Sequence, residues 1–172
     1  MYHLFMSMNN NLEIERKFLA SSSKYPWTGP RYHIVQGYAT DNTQCLVRFR
    51  YQECLQGQLA PQAFVTIKSF LSAGCNREYE TAVDAMWAAN VIESACLWKL
   101  SKTRTHWLAP DGQTWHIDQF HDGNQGLVLA EIELPSLDEE FYRPQDLGPE
   151  VTGDSRYSNI HLAKHPWCTW QL

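Results

Sequence analysis

No run of apolar residues in this 172-residue sequence approaches the roughly 18 that a membrane-spanning helix requires, and Met1 to Asn10 lacks the positive n-region and cleavage site of a secretory leader. A soluble, cytoplasmic protein is expected. Cysteine is sparse and unpatterned: Cys45, Cys54, Cys75, Cys96 and Cys168 are odd in number, scattered, and never form C-x-x-C. Neither a disulfide framework nor a zinc knuckle is indicated. A basic excess is missing as well, because 14 Lys and Arg face 19 Asp and Glu for a net charge of -5, which argues against a broad nucleic-acid surface. No G-x-x-x-x-G-K-S/T and no G-x-S-x-G occurs, so P-loop and serine-hydrolase readings have no footing. No repeat, low-complexity tract or long linker divides the chain.

What is present is a chain with 44% apolar side chains, long enough to bury a sizeable core. A single domain over residues 11–172 is expected, preceded by a flexible extension over residues 1–10. Runs rich in Val, Ile, Phe, Tyr, Trp and Thr between turn signals predict eight strands. They lie near Leu12–Ala20, Arg31–Ala39, Gln44–Gln52, Gln62–Phe70, Asn76–Ala82, Leu97–Leu108, Gln113–Phe120 and Leu127–Leu134. Ala109-Pro110-Asp111-Gly112 is the clearest hairpin turn and joins the sixth and seventh antiparallel. Helical spacing of Val83, Trp87, Val91 and Ala95 predicts a helix between the fifth and sixth strands. A turn or two of helix is expected after Ser136, where Asp138, Glu139 and Glu140 would meet the positive end of the dipole, and another from an Asp154 cap to about Lys164. The fold class is α+β, mainly β, with about three helices. Eight antiparallel strands commonly close into a barrel, which removes the sheet edges.

Same-sign charges two residues apart carry most of the information. They are Glu13/Glu15, Arg48/Arg50, Glu78/Glu80, Lys102/Arg104 and Glu131/Glu133 within predicted strands, and Asp138/Glu140 outside them. Random placement would give roughly three such pairs rather than six. A strand sends residues i and i+2 to one face, and in three pairs the intervening residue is Ile or Phe. A solvated outer face accounts for this as well as an inner one does. The charge types are informative, however. One face holding Lys17, Arg48, Arg50, Lys68, Lys102 and Arg104 could grip a chain of phosphates. Paired carboxylates among Glu13, Glu15, Glu78, Glu80, Asp118, Glu131 and Glu133 suit hard divalent ions such as Mg²⁺ or Mn²⁺. Together these are the equipment of metal-assisted phosphoryl transfer.

In their order along the chain these residues resemble the CYTH domains, or triphosphate tunnel metalloenzymes. Their E-x-E-x-K hallmark matches Glu13-Ile14-Glu15-Arg16-Lys17, followed by Arg48/Arg50, Thr66/Lys68, Glu78/Glu80, Lys102/Arg104, Asp118 and Glu131/Glu133. The segment from Glu150 to Asn159 is similar to the tail of short, single-domain bacterial members. The resemblance implies a closed eight-stranded antiparallel β-barrel, a tunnel with a charged interior and helices packed outside. It implies that Glu13, Glu15, Glu131 and Glu133 hold one or two Mg²⁺ or Mn²⁺ ions with Asp118 in support, and that Arg48, Arg50, Lys68, Lys102 and Arg104 grip a triphosphate. Glu15 and Glu133 would act with a metal-oriented water, Lys17 would neutralise the departing pyrophosphate, and Glu78 and Glu80 would support the cations or help bind metal. The implied function is hydrolysis of inorganic tripolyphosphate to pyrophosphate and phosphate. Thiamine triphosphatase, nucleoside triphosphatase, class IV adenylate cyclase and a non-catalytic polyphosphate- or nucleotide-binding module are the alternatives.

The expected partner is therefore a small-molecule triphosphate, without membrane or broad nucleic-acid contacts, in a chain compatible with a homodimer. The six assigned cations and seven carboxylates sum to -1, so the acidic exterior says little about the cavity. His161 and His165 lie four apart but lack an acidic residue between them, and Pro166 follows at once, so zinc binding is not expected. His106 and His116 flank the hairpin and are placed to reach a tunnel mouth, with surface histidine as the default reading. The seven tryptophans read as packing residues.

Overall fold

Alternation along β1 (Leu12–Leu19) sorts its side chains: Ile14 and Phe18 are buried among apolar neighbours, while Glu13, Glu15 and Lys17 share the opposite face. The computed structural model describes residues 12–21, 27–40, 45–57, 59–136, 138–145 and 147–170. The extension expected at residues 1–10 lies outside the described residues. After β1 come β2 (Arg31–Tyr38), β3 (Leu46–Cys54), β4 (Gln62–Ser72), β5 (Cys75–Val83), α1 (Ala85–Ala95), β6 (Trp98–Leu108), β7 (Thr114–Phe120), β8 (Val128–Glu133) and α2 (Asn159–Lys164). Every strand end lies within two residues of its expected position, and Gln44 at the expected start of the third strand is outside the described residues.

The strands close in the order β1-β5-β4-β3-β2-β6-β7-β8, each antiparallel to both neighbours. Cross-strand partners share a face. Glu15 opposes Glu133, Lys17 opposes Glu131, Arg104 opposes Asp118 and Lys68 opposes Glu78, so the charges gather on one side of the sheet. That side is the concave one, since several ion pairs reach over an intervening strand. Lys68 on β4 meets Glu13 on β1 across β5, Arg104 on β6 meets Glu131 on β8 across β7, and Arg50 on β3 meets Glu80 on β5 across β4. Side chains two strands apart converge in this way only inside a closed sheet.

The apolar core lies outside the barrel and beneath it. Ile14, Phe18, Trp115, Ile117, Ala130 and Ile132 form the outer layer, with Phe141 packed over Phe18 and Trp115. Continuing the inward period below Lys102, Asp118 and Glu131 gives Leu100, Phe120 and Leu129, and these pack with Tyr157 and Leu162 of the C-terminal segment. The C-terminal segment is thus a plug that seals one barrel end. Just before it, the chain runs along the free edge of β1. The amide of Gly148 donates to Leu19 O at 2.8 Å, that of Leu19 to Pro149 O at 3.0 Å and that of Val151 to Lys17 O at 2.8 Å. This strap continues the ladder where β5, which pairs β1 only at residues 12–14, stops. A Cβ on Gly148 would lie 2.8 Å from Leu19 O, so the close approach requires glycine. Arg16 clamps the strap through a bidentate pair to Glu150 at 2.5 and 2.6 Å.

Three helical expectations need correction. In α1 the packed residues are Ala88 and Ile92, followed by Cys96, whereas Trp87 is half exposed and Ala95 exposed. The face is set one residue later than the predicted stripe, because the helix lies close enough to β2 that a Cβ on Gly37 would meet Cys96 Sγ at 2.7 Å. Ile92 and Cys96 lie over Gly37, where the missing Cβ leaves them room, while the Trp87 and Phe49 rings meet edge to face with centroids 5.6 Å apart. The described residues after Ser136 form no helix: carboxylates alone supply no apolar stripe to bury. Asp154 does cap, but caps a 3₁₀ turn at Ser155–Tyr157 by accepting from the Arg156 amide; α2 begins after Ser158, whose hydroxyl accepts from His161. Among the described residues no helix is long and apolar enough to cross a membrane.

Candidate active site

The floor of the cavity is built around Asp118, which is fully buried with Lys102. Asp118 Oδ1 accepts from Arg104 Nε at 2.7 Å, and Oδ2 accepts from Arg104 Nη2 at 2.7 Å and Lys102 Nζ at 2.5 Å. Expected to support a metal, Asp118 spends both oxygens on cations. Burial opposes its charge, but Arg104 and Lys102 outweigh burial and hold the carboxyl below its usual range. Lys102 is pushed down to about 8 by burial and then by Arg104, against the pull of Asp118. Glu131 bridges to the next wall: its Oε2 accepts from Arg104 at 2.7 Å, and Lys17 Nζ lies 2.9 Å from its Oε1. Burial disfavours the Lys17 ammonium, yet Glu131 and Glu15 more than compensate and raise it above its ordinary range.

On the opposite wall Arg48 Nη2 donates to Thr66 Oγ1 at 3.0 Å and to Glu80 at 3.3 Å, and Arg50 Nη2 donates to the other Glu80 oxygen at 2.8 Å. Thr66 itself donates to Glu80 at 2.8 Å, so this carboxylate orders both arginines. Burial and then the neighbouring Arg48 push Arg50 down to about 10. The Nε groups of Arg48 and Arg50 are buried and have no hydrogen-bond acceptor. Unpaired buried donors on cations are costly, and here two of them sit in the same wall. Lys68 lies between Glu13 at 2.5 Å and Glu78 at 2.8 Å.

The remaining carboxylates line β1 and β8. The Glu133 side chain is more than half exposed, so partial loss of solvent is a weak cause beside the charges of Glu13, Glu15 and Glu131, which against Arg104 raise its carboxyl above the usual range. Accumulated negative charge of this kind, on hard oxygen donors, fits a divalent cation. Among the described residues no group of three or more acidic, histidine or cysteine side chains is arranged to hold a metal ion.

The chain is 34% identical over 156 residues to an inorganic triphosphatase of Acetivibrio thermocellus, covering 90% of this chain and 95% of that protein. It is 35% identical over 164 residues to an inorganic triphosphatase of Nitrosomonas europaea, covering 88% and 96%. The chain belongs to the triphosphate tunnel, or CYTH, family. No family model matches it. A crystal structure of an inorganic triphosphatase superposes on this tunnel domain with a TM-score of 0.61 at 34% identity over 88% of this chain and 93% of that one. A Pyrococcus horikoshii structure shares the fold at 17% identity, with a TM-score of 0.54 over 73% and 80% of the two chains.

By strand phase and cross-strand register the residues expected for a tunnel domain share the inner face of the barrel, with Glu133 largely exposed at the end of β8, and several unexpected residues join them. His106 and His116 oppose each other on the inner face of β6 and β7, next to Arg104 and Asp118, and are half-buried rather than surface residues. Their rings stand 4.7 Å apart, and Tyr32 on β2 lies 4.9 Å beyond His106. Burial, then Arg104 and His106, push His116 down to about 3. The signal was available: His106 is two residues after Arg104 and His116 two before Asp118, in phase with the charges. Gln36 and Tyr38 are also inward and buried, with the Tyr38 hydroxyl donating to Gln36 Oε1 at 3.2 Å. Nothing but the strand phase marked them.

Proposed function

We propose that this tunnel domain is a Mg²⁺- or Mn²⁺-dependent hydrolase of a linear triphosphate, cleaving inorganic tripolyphosphate to pyrophosphate and phosphate. The carrying observation is the gathering of Lys17, Arg48, Arg50, Lys68, Lys102 and Arg104 with paired carboxylates on the inner face of one closed barrel. A short anionic chain is the ligand that such a set of converging donors fits. The relatives named inorganic triphosphatase support the inorganic substrate. In this reading Arg48 and Arg50 on one wall and Lys102 and Arg104 at the floor hold phosphate oxygens, while Lys68, Glu78 and Glu80 keep the wall ordered. Glu13, Glu15, Glu131 and Glu133 are the residues that would hold the divalent ion, with Asp118 fixing the cations beside them. Such an ion neutralises phosphate charge and makes bound water more acidic. Glu15 and Glu133, cross-strand partners, orient the attacking water. Its oxygen bonds to the terminal phosphorus as the bridging P–O bond breaks in line, and Lys17 stabilises the negative charge left on pyrophosphate.

Phosphate release from tripolyphosphate, measured with Mg²⁺, with Mn²⁺ and with chelator, tests the reading. Metal-dependent release is expected; its absence for every triphosphate offered refutes the enzyme. Glu15→Gln and Glu133→Gln are expected to lower kcat much more than they raise KM, and Arg50→Ala to act mainly on KM.

A further inference from the structure

The guanidinium of Arg104 has five N–H donors, and the described residues account for four of them. Nε binds Asp118 Oδ1, Nη2 binds Asp118 Oδ2 and Glu131 Oε2, and Nη1 contacts His116 Nδ1 at 3.3 Å. One hydrogen on Nη1 is left over. Arginine only donates, so the contact requires a lone pair on Nδ1 and assigns His116 the neutral tautomer with its proton on Nε2. Asp118 and Glu131 hold one side of the guanidinium; His116 alone holds the Nη1 side. Its own ring is kept in place by His106 at 4.7 Å, itself backed by Tyr32 at 4.9 Å.

We propose that His116 is a positioning residue, which keeps the last free N–H of Arg104 aimed at the bound phosphate chain by holding the Nη1 edge of the rigid guanidinium. An apolar side chain would leave the Nη1 edge of the planar guanidinium without a partner, so that the whole rigid fork could tilt about its Asp118 edge. The Tyr32–His106–His116 column thereby becomes part of the phosphate grip without touching phosphate. This inference rests on the reading that Arg104 binds the triphosphate.

The test compares His116→Leu, His116→Gln and His116→Asn in the full chain. Asparagine places its Oδ1 where Nδ1 stood, whereas the longer glutamine amide takes the position of Nε2. With tripolyphosphate at fixed pH, Leu and Gln variants are expected to lose roughly tenfold in kcat/KM, the effect of one misdirected hydrogen bond to a charged group, and Asn to recover most of it. Thermal midpoints of all three should stay close to that of the unaltered chain. Independently of turnover, ¹⁵N spectra of the unaltered protein should show an unprotonated Nδ1 on His116, and the Leu variant should show faster exchange of the Arg104 Nη1 hydrogens. An Asn variant as impaired as the Leu variant, or a protonated Nδ1, overturns the proposal. If the unaltered chain fails to hydrolyse tripolyphosphate while the spectra are as expected, it is the functional reading that fails.

Discussion

Replacing Asp118 with asparagine removes one negative charge from the most buried ionic cluster and changes almost no volume, so the loss reports electrostatics rather than a cavity. Asp118 accepts three hydrogen bonds at 2.5 to 2.7 Å from Lys102 and Arg104, and neither Asp118 nor Lys102 is exposed. Leaving buried cations without their partner costs about 3–5 kcal/mol. At about 2–4 °C per kcal/mol for a chain of this length, the midpoint of thermal unfolding should fall by about 6–20 °C. Urea unfolding at pH 7 in phosphate-free buffer measures the difference. Its pH dependence is a second signature. Lys102 is already pushed down to about 8 by burial and Arg104, with Asp118 opposing, so without Asp118 its value falls further. Between that lower value and about 8 the folded variant has lost the proton that its unfolded chain retains, and its stability rises with pH, whereas the parent's Lys102 is still charged. The gap between the two proteins should therefore narrow as pH rises toward about 8 and stay constant above it. A loss below about 1 kcal/mol, the range of exposed pairs, would refute the claim that this cluster is dry and tightly coupled.

Other perturbations probe the plug and the strap. Leu162→Ala, at a fully buried position against Leu100 and Phe120, should cost about 2–5 kcal/mol in urea unfolding. A near-neutral result would mean the plug is not packed as described. Gly148→Val should destabilise by about 1–3 kcal/mol, because its Cβ would press on Leu19 O; unchanged unfolding would exclude the close approach. The Arg16 hydrogen bond lowers the Glu150 carboxyl, so the stability from that pair is present above the ordinary glutamate range and is lost as pH falls through the folded value. Glu150→Gln should consequently flatten part of the acid side of the stability profile, and an unaltered profile would show the strap clamp to be without effect.

The strands were legible because charge and apolarity alternate strictly in Glu13-Ile14-Glu15, Arg48-Phe49-Arg50 and Glu131-Ile132-Glu133. Which face turns inward was not, since period two is the same for a wetted exterior and a charged lumen. Closure settles it, through contacts such as Lys68 with Glu13 that join distant strands. Helices were less legible for reasons of size and length. The spacing of Trp87 and Val91 suggested a stripe, but the buried residues are Ala88 and Ile92, with Ile92 and the following Cys96 seated over Gly37. Asp154 carried a true capping signal that served a single 3₁₀ turn, with Ser158 restarting the chain as α2. The inward apolar residues Leu100, Phe120 and Leu129 could not be distinguished from ordinary strand core until Tyr157 and Leu162 were seen against them.

A barrel stoppered by Tyr157 and Leu162 is a cul-de-sac rather than a passage. Whatever enters must leave by the doorway it used, in the reverse order of arrival, so a fragment lodged deepest is the last out. A polyphosphate longer than the cavity can be offered only by its tip, with no route for drawing the chain through. If the proposed reaction holds, pyrophosphate shares that doorway with the next tripolyphosphate and is expected to compete for it.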